Sequence, residues 1–324
     1  MDDKISIRII LKSCMMSSNS VSEWFTAITY FEPRNMRGKS LTNNKLQKYN
    51  PKKFFEGISK ELDSKDIIKL SIGDDQNSIS LIRGAYKPDI AWLTYSLTFK
   101  LFQQKKSNIL EFIDNVMQRY DGIVSSVCSL DDEFWQDNED IDYYHLQGKS
   151  SIGIQMKKSP IFDNDMIVDT EYNPGHSHIV DGIWFGSCWK MWYGKEYFKY
   201  IPKEVLSKVT NCYENKEIGN DCIRITLCES PWDYEKKENR DKQVNFRKSV
   251  GVDEIAHRLE NSEELYTNID SSIEISEGNF KHGGIRLIKY YYNRNGELTV
   301  KSQAVEVITY ELGEEGKMLW SEVE

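Results

Sequence analysis

The chain has 324 residues, of which 39% are apolar and 29% charged, with a net charge of -9 and a mean hydropathy of -0.59. That is the composition of a folded globular protein with room for two ordinary domains or one large one, and too rich in aromatics for a disordered chain. The acidic balance excludes nucleic acid and anionic membrane surfaces as favoured partners and leaves a basic protein as the attractive one.

In chain order, Ile5, Ile7, Ile9 and Leu11 alternate with polar residues and predict a half-buried strand. Residues 15–25 are polar and read as a loop. Asn50-Pro51 reads as a helix start, with Asn as cap and Pro in the first turn, followed by Phe54, Phe55, Ile58 and Leu62 at helical spacing. Ile67 to Ile72 predicts the next strand, and Leu93, Tyr95, Leu97 and Phe99 the clearest one. Asn108 reads as the cap of a helix with Ile109, Ile113, Val116, Met117 and Tyr120 on one face, stopped at Gly122 and followed by a strand over Ile123 to Val127.

Asp131 to Tyr144 breaks the periodicity, so a boundary or long loop is expected there. Beyond it, Ile152, Ile154 and Met156 alternate as a strand. Pro202 opens a helix, and Ile223, Ile225 and Leu227 form a strand. Arg240 to His257 reads as helix interrupted near Gly251. Ile285 to Tyr292 and Leu298 to Tyr310 flank an Asn-Gly turn, predicting a terminal hairpin with a bulge between Ala304 and Val305. These elements give an α+β chain of two similar halves, residues 1–145 and 146–324, each a mainly antiparallel sheet with helices on one face.

Chemistry-bearing clusters are few. His176, His178 and Asp181 form the one compact metal-like group, since two His two apart on a strand share a face and imidazoles ligate zinc. The run resembles the H-x-H-x-D-H stretch of metallo-β-lactamase-like hydrolases but has Asp181 one place late and lacks the adjoining His. The incomplete ligand set leads to the expectation that these residues hold no metal, with a metal-dependent hydrolase as the alternative reading. Asp163, Asp165 and Asp169 read as a loop. The six cysteines include no C-x-x-C pair and read as reduced, mostly buried thiols, with nothing beside Cys188 to activate it. No P-loop, dinucleotide fingerprint or nucleophile elbow is present, and no cofactor is expected.

Two surfaces suit a protein partner. Asp131, Asp132, Asp137 and Asp140 surround Trp135 in the densest acidic run, where charge would steer a basic partner and the ring would anchor it. The segment IWFGSCWKMWYGKEYFKYIP holds Trp189, Trp192 and Tyr193, expected to stay partly exposed as further anchors.

At DGIWFGSCWKMWYGKEYFKYIPKEVL, residues 181–206, the chain resembles α+β immunity proteins of bacterial polymorphic toxin systems. The resemblance consists of an aromatic strand, a glycine, and an aromatic-flanked helix opening at Pro202. It implies a cytoplasmic, non-catalytic protein that neutralises a cognate toxin by direct binding. The absence of a run of roughly 18 apolar residues and of a secretory leader pattern leads to the same expected location.

Overall fold

The computed structural model describes residues 3–63, 67–159, 165–261, 272–313 and 316–324. The chain begins with β1 (Lys4–Lys12), α1 (Ser18–Ala27), β2 (Asn35–Arg37), α2 (Lys39–Thr42), β3 (Gln47–Lys48) and α3 (Pro51–Leu62). There follow β4 (Ile68–Gly73), β5 (Ser78–Arg83), β6 (Ile90–Thr98), α4 (Phe99–Arg119) and β7 (Val124–Ser129). Next come α5 (Leu130–Asp137), α6 (Ile141–Leu146), β8 (Met156–Lys158), β9 (Met166–Val168), β10 (Ser177–Val180), β11 (Ile183–Gly186) and β12 (Lys190–Gly194). The chain continues through α7 (Lys203–Ser207), β13 (Glu214–Glu217), β14 (Cys222–Thr226), α8 (Lys237–Val250) and α9 (Val252–Glu260). It ends with β15 (Ile273–Glu277), β16 (Arg286–Tyr292), β17 (Glu306–Leu312) and β18 (Met318–Val323).

The fold is α+β, and its centre is a ten-stranded sheet in the order β13-β14-β12-β7-β1-β6-β5-β4-β2-β3. Every pairing in it is antiparallel. Alternation along each strand sorts its two faces. Ile5, Ile7, Ile9 and Leu11 of β1 join Leu93, Tyr95 and Leu97 of β6 in the main core, with Trp24 and Phe25 of α1, Phe54 and Ile58 of α3, and Phe102, Ile109 and Ile113 of α4. Burying each of these aliphatic or Phe side chains stabilises the fold by about 1.5–3 kcal/mol. On the other face Phe246 of α8 stacks on Tyr193 of β12, with ring centroids 6.3 Å apart, and Glu133 of α5 pairs with Arg8 of β1. Trp92 of β6 donates its indole N–H to the Gly182 carbonyl at 2.8 Å, which seats the β10–β11 turn there too. Helices therefore cover both faces of the sheet, where one was expected.

Two expectations about organisation are corrected. The boundary at residue 145 falls inside a compact unit, Met1–Arg258, with a second unit at Leu259–Glu324. The halves do not form two sheets, because β12, β13 and β14 extend the sheet begun by β1 and β7. β12 reaches β7 only because its end carries no side chain: a Cβ on Gly194 would stand 1.8 Å from the Gly122 carbonyl oxygen.

Local expectations fared unevenly. Asn50 caps α3 by accepting from the Lys53 N–H at 2.9 Å, and Gly251, at φ 71°, separates α8 from α9. Residues 15–25 are mostly helix rather than loop, since Ser17 and Ser20 form a reciprocal capping box for α1. Asn108 is not a cap: β6 runs directly into α4 at Phe99, nine residues before Asn108, which lies exposed mid-helix. Asp131 to Tyr144 is not a long loop but α5 and most of α6, capped by Ser129 and Asp140. Of the expected strand over 152–156 only Met156 is in one, and Ile152 is 94% exposed.

In the unit Leu259–Glu324, β15-β16-β17-β18 form an antiparallel four-stranded sheet. The terminal hairpin pairs β16 with β17, Tyr292 opposite Glu306. Its return arm is not strand from Leu298 onward, however. After a single bridge from Leu298 to Tyr292 the chain makes a 3-10 turn at Lys301–Gln303 and rejoins the sheet at Glu306. The change of apolar parity near Ala304 marks that excursion rather than a bulge.

Candidate functional site

The acidic run folds into the corner between α5 and α6, and its members part company. Asp131 is consumed locally: it accepts from the Trp135 indole N–H at 3.0 Å, from the Tyr234 hydroxyl at 2.7 Å and from Lys149 at 3.4 Å. Asp132 is buried against Arg240 at 2.7 Å, and burial raises its pKa above the ordinary carboxylate value despite that partner. Trp135 is 6% exposed, packed with Tyr144 and Val168 in a small core of its own. The expected exposed anchor at Trp135 is thus corrected, because its partner Asp131 and the neighbouring rings hold it inward. Asp140 is exposed and caps α6, accepting from the Asp142 N–H at 2.9 Å and the Tyr143 N–H at 3.3 Å.

Asp137 is the member that faces outward under tension. It accepts from the Ser177 N–H at 2.7 Å. Burial first, and the nearby Glu133 charge, push its carboxyl up to about 6, against the lowering effect of that hydrogen bond. Its outer edge is open to solvent, which moderates the push. Around it Leu130, Glu133, Phe134, Asn138, Glu139 and Asp140 line an open concavity. This rim holds four carboxylates and no lysine or arginine, and the cation that reaches it from below is Arg8, spent on Glu133. Leu130, 36% exposed, and the half-buried Phe134 supply apolar surface where Trp135 was expected to.

The aromatic segment is core. Trp189, Trp192 and Tyr193 are 4%, 0% and 1% exposed, so none is a surface anchor. Trp189 donates to the Cys228 carbonyl at 2.9 Å, and Trp192 donates to Asp114 at 2.6 Å. Consecutive burial of Lys190 to Gly194 follows from the position of β12 well inside a sheet covered on both faces. The cysteines are all unpaired, with Cys128, Cys188, Cys222 and Cys228 buried. Its contact with Cys188, and then burial, raises the Cys128 thiol well above its ordinary value, the opposite of an activated nucleophile.

The histidine pair finds partners that spacing could not reveal. Asp181 leaves the cluster: with φ 55°, followed by Gly182 at 77°, it forms the two-residue turn of the β10–β11 hairpin and pairs with Lys87. Its place is taken by Asp253 of α9. The atoms His176 Nε2, His178 Nε2 and Asp253 Oδ1 stand 3.1, 3.1 and 3.3 Å apart, spacings that three ligands of one zinc ion would also show. His257 is adjacent, its ring 5.0 Å from that of His178.

Arg247 of α8 decides how this triangle is used. It donates to the His176 carbonyl and to His176 Nε2, both at 2.7 Å, and it pairs with both Asp253 oxygens. The Asn173 carbonyl, 2.6 Å from His176 Nδ1, fixes the proton there and leaves Nε2 as the acceptor. His178 then carries its proton on Nε2, facing Asp253. A metal needs that atom bare and cannot share the space with a guanidinium. Hydrogen bonds to His176, His178 and Arg247 outweigh burial and hold the Asp253 pKa well below the ordinary carboxylate value. The cluster is a filled polar knot joining the hairpin to α8 and α9.

What the fold and these sites define is an α+β protein with an acidic surface concavity and an arginine-closed histidine cluster. No protein-family model and no curated protein matches the chain. Among solved structures it is similar to a Pseudomonas aeruginosa T6SS protein, PA0821, with a TM-score of 0.47 and 8% identity over 77% of this chain and 72% of that one. Among the described residues no helix is long and apolar enough to cross a membrane.

Proposed function

We propose that this chain is a cytoplasmic, non-catalytic interaction protein that neutralises a basic bacterial toxin by direct binding, as the immunity proteins its aromatic segment resembles do. The observation that supports this is the α5–α6 concavity. Glu133, Asp137, Glu139 and Asp140 line it with no cation among the lining residues, beside Leu130 and Phe134. An incoming lysine or arginine meets four carboxylates with no cation among the lining residues to compete, and that attraction is what selects a basic partner. Charge supplies encounter rate and selectivity, and the apolar floor supplies the anchor. Trp189, Trp192 and Tyr193 serve by holding β12 in the sheet rather than by touching the partner. No cofactor enters this reading.

The test is co-expression in a bacterial host with the protein encoded beside this one, read as growth. Wild type is expected to relieve growth arrest. The triple variant Asp137→Asn, Glu139→Gln, Asp140→Asn keeps the hydrogen-bond acceptors to Ser177 and α6 and is expected to protect poorly. Arrest that wild type does not relieve, or equal protection by the folded triple variant, contradicts the proposal.

A further inference from the structure

The chain-wide charge of -9 conceals a local reversal: residues 33–60 carry eight lysines and arginines and one acid, Glu56. They build one corner of the fold. β2 and β3 are the last two strands of the ten-stranded sheet, α2 links them, and α3 follows β3 directly. Lys53 of α3 donates to the Gln47 side chain of β3 at 3.3 Å, which ties the two elements together. Two of the cations have acidic neighbours: Arg34 pairs with Asp75 at 2.6 Å, and Lys52 stands 4.0 Å from Glu56. Among the described residues Arg37, Lys45, Lys48, Lys53 and Lys60 pair with no acid, and the four lysines are exposed. Guarding an open sheet edge takes a lysine or two on the edge strand, but here the cations continue onto α3. The first turn of α3 holds Lys52 and Lys53 and no acid, so two like charges sit at the positive end of the helix dipole, an arrangement that an incoming anion relieves. Residues 43–48 are all exposed, and within them Leu46, 60% exposed, lies between Lys45 and Lys48.

We infer that this corner docks on an anionic phospholipid surface, with the lysines among the headgroup phosphates and Leu46 inserted at the acyl boundary. The acids elsewhere in the chain do not forbid it. Those of α5 sit over β1 and β7, at least five strand spacings or about 24 Å from β3, and a Debye length of about 8 Å screens charges so far apart. A single strand of nucleic acid, the other polyanion to consider, asks for exposed rings on which its bases stack. Residues 43–48 offer none. Lysine also outnumbers arginine six to two in this segment, where base and phosphate readout favours the planar guanidinium. The docking is peripheral and reversible, since one inserted side chain and a set of lysines do not approach the hold of a membrane-spanning helix.

The test is cosedimentation of the full-length chain with vesicles of equal parts phosphatidylcholine and phosphatidylglycerol, against vesicles of phosphatidylcholine alone, at low and at physiological salt. Binding is expected to the anionic vesicles only, and it should weaken as salt rises. Lys45→Glu with Lys48→Glu, and Lys53→Glu with Lys60→Glu, are each expected to weaken it about tenfold or more. Leu46→Ser, at a position open enough to spare the fold, is expected to weaken it severalfold. Lys208→Glu with Lys216→Glu makes the same change in net charge at exposed positions on and beside β13, the far edge of the sheet, and is expected to leave binding unchanged. Failure to bind the anionic vesicles at low salt overturns the inference. So does binding that the Lys208 and Lys216 changes weaken as much as those in the corner. A labelled single-stranded oligonucleotide held by the same lysines in place of the vesicles assigns the corner to nucleic acid and overturns it too.

Discussion

Arg247 reaches His176 with Nη2 2.7 Å from Nε2, placing a permanent cation where His176, His178 and Asp253 converge. That triangle is therefore expected to hold no zinc or manganese, so elemental analysis of wild type and of His176→Ala should give the same metal content. Removing the guanidinium in Arg247→Ala is expected to cost about 1–3 kcal/mol, since Asp253 and the His176 carbonyl lose their charged donor while Asp253, one third open to solvent, keeps its histidine contacts. It also bares the ligand triangle, so zinc should raise the melting temperature of that variant and leave that of wild type unchanged. Bound metal in wild type that is lost in His176→Ala would reverse the assignment.

Asp253 gives the cluster a defined pH dependence. Its folded pKa lies below the unfolded one, so its stabilisation is complete above the ordinary carboxylate pKa and is lost as pH falls toward the folded value. Asp253→Asn is expected to cost about 2 kcal/mol at pH 7, a figure discounted for a side chain one third open to solvent. The gap from wild type should narrow below about pH 4. Urea unfolding at a series of pH values checks this, and a gap that widens in acid contradicts it.

Asp137 has the opposite sign. Its folded pKa of about 6 exceeds the unfolded value, so its ionised form costs stability, and that cost is complete above pH 6 and vanishes in acid. Asp137→Asn, which keeps an acceptor for the Ser177 N–H, should therefore be more stable than wild type at pH 8. Solvent at its outer edge limits the gain to about 1 kcal/mol or less. At pH 4 the two proteins should unfold alike.

The buried tryptophans separate folding from binding. Trp192→Phe loses the hydrogen bond to Asp114 and is expected to cost about 1.5–3 kcal/mol. Trp135→Ala empties the small core with Tyr144 and should cost about 3–5 kcal/mol. Partner affinity of the folded Trp192→Phe protein should equal that of wild type. A selective loss of binding would return Trp192 to the interface.

The central strands were legible because the apolar residues of β1 and β6 face one core, and alternation reports that directly. The helix α1 was also written in the chain, in Ser17 with Ser20 and in Val21, Trp24, Phe25 and Ile28 at helical spacing, but its polar residues masked it. Asn108 misled because a residue well suited to capping also sits comfortably on a solvated helix face. Asp181-Gly182 is a strong hairpin signal, and its meaning was hidden by the adjacent histidines. Asp253 and Arg247 could not be read beside His176, because the topology alone brings α8 and α9 against β10. Trp135 shows the general difficulty: an aromatic in an acidic run looks like an anchor until its indole N–H is seen bound to Asp131.

The most direct test of the binding account is the association rate with a toxin against which this chain protects in the co-expression assay, measured for wild type and the triple variant Asp137→Asn, Glu139→Gln, Asp140→Asn across ionic strength. The account predicts association slowed about tenfold or more at low salt and a flatter salt dependence, with dissociation and melting temperature little changed. An unchanged association rate and salt slope in a folded triple variant would contradict it.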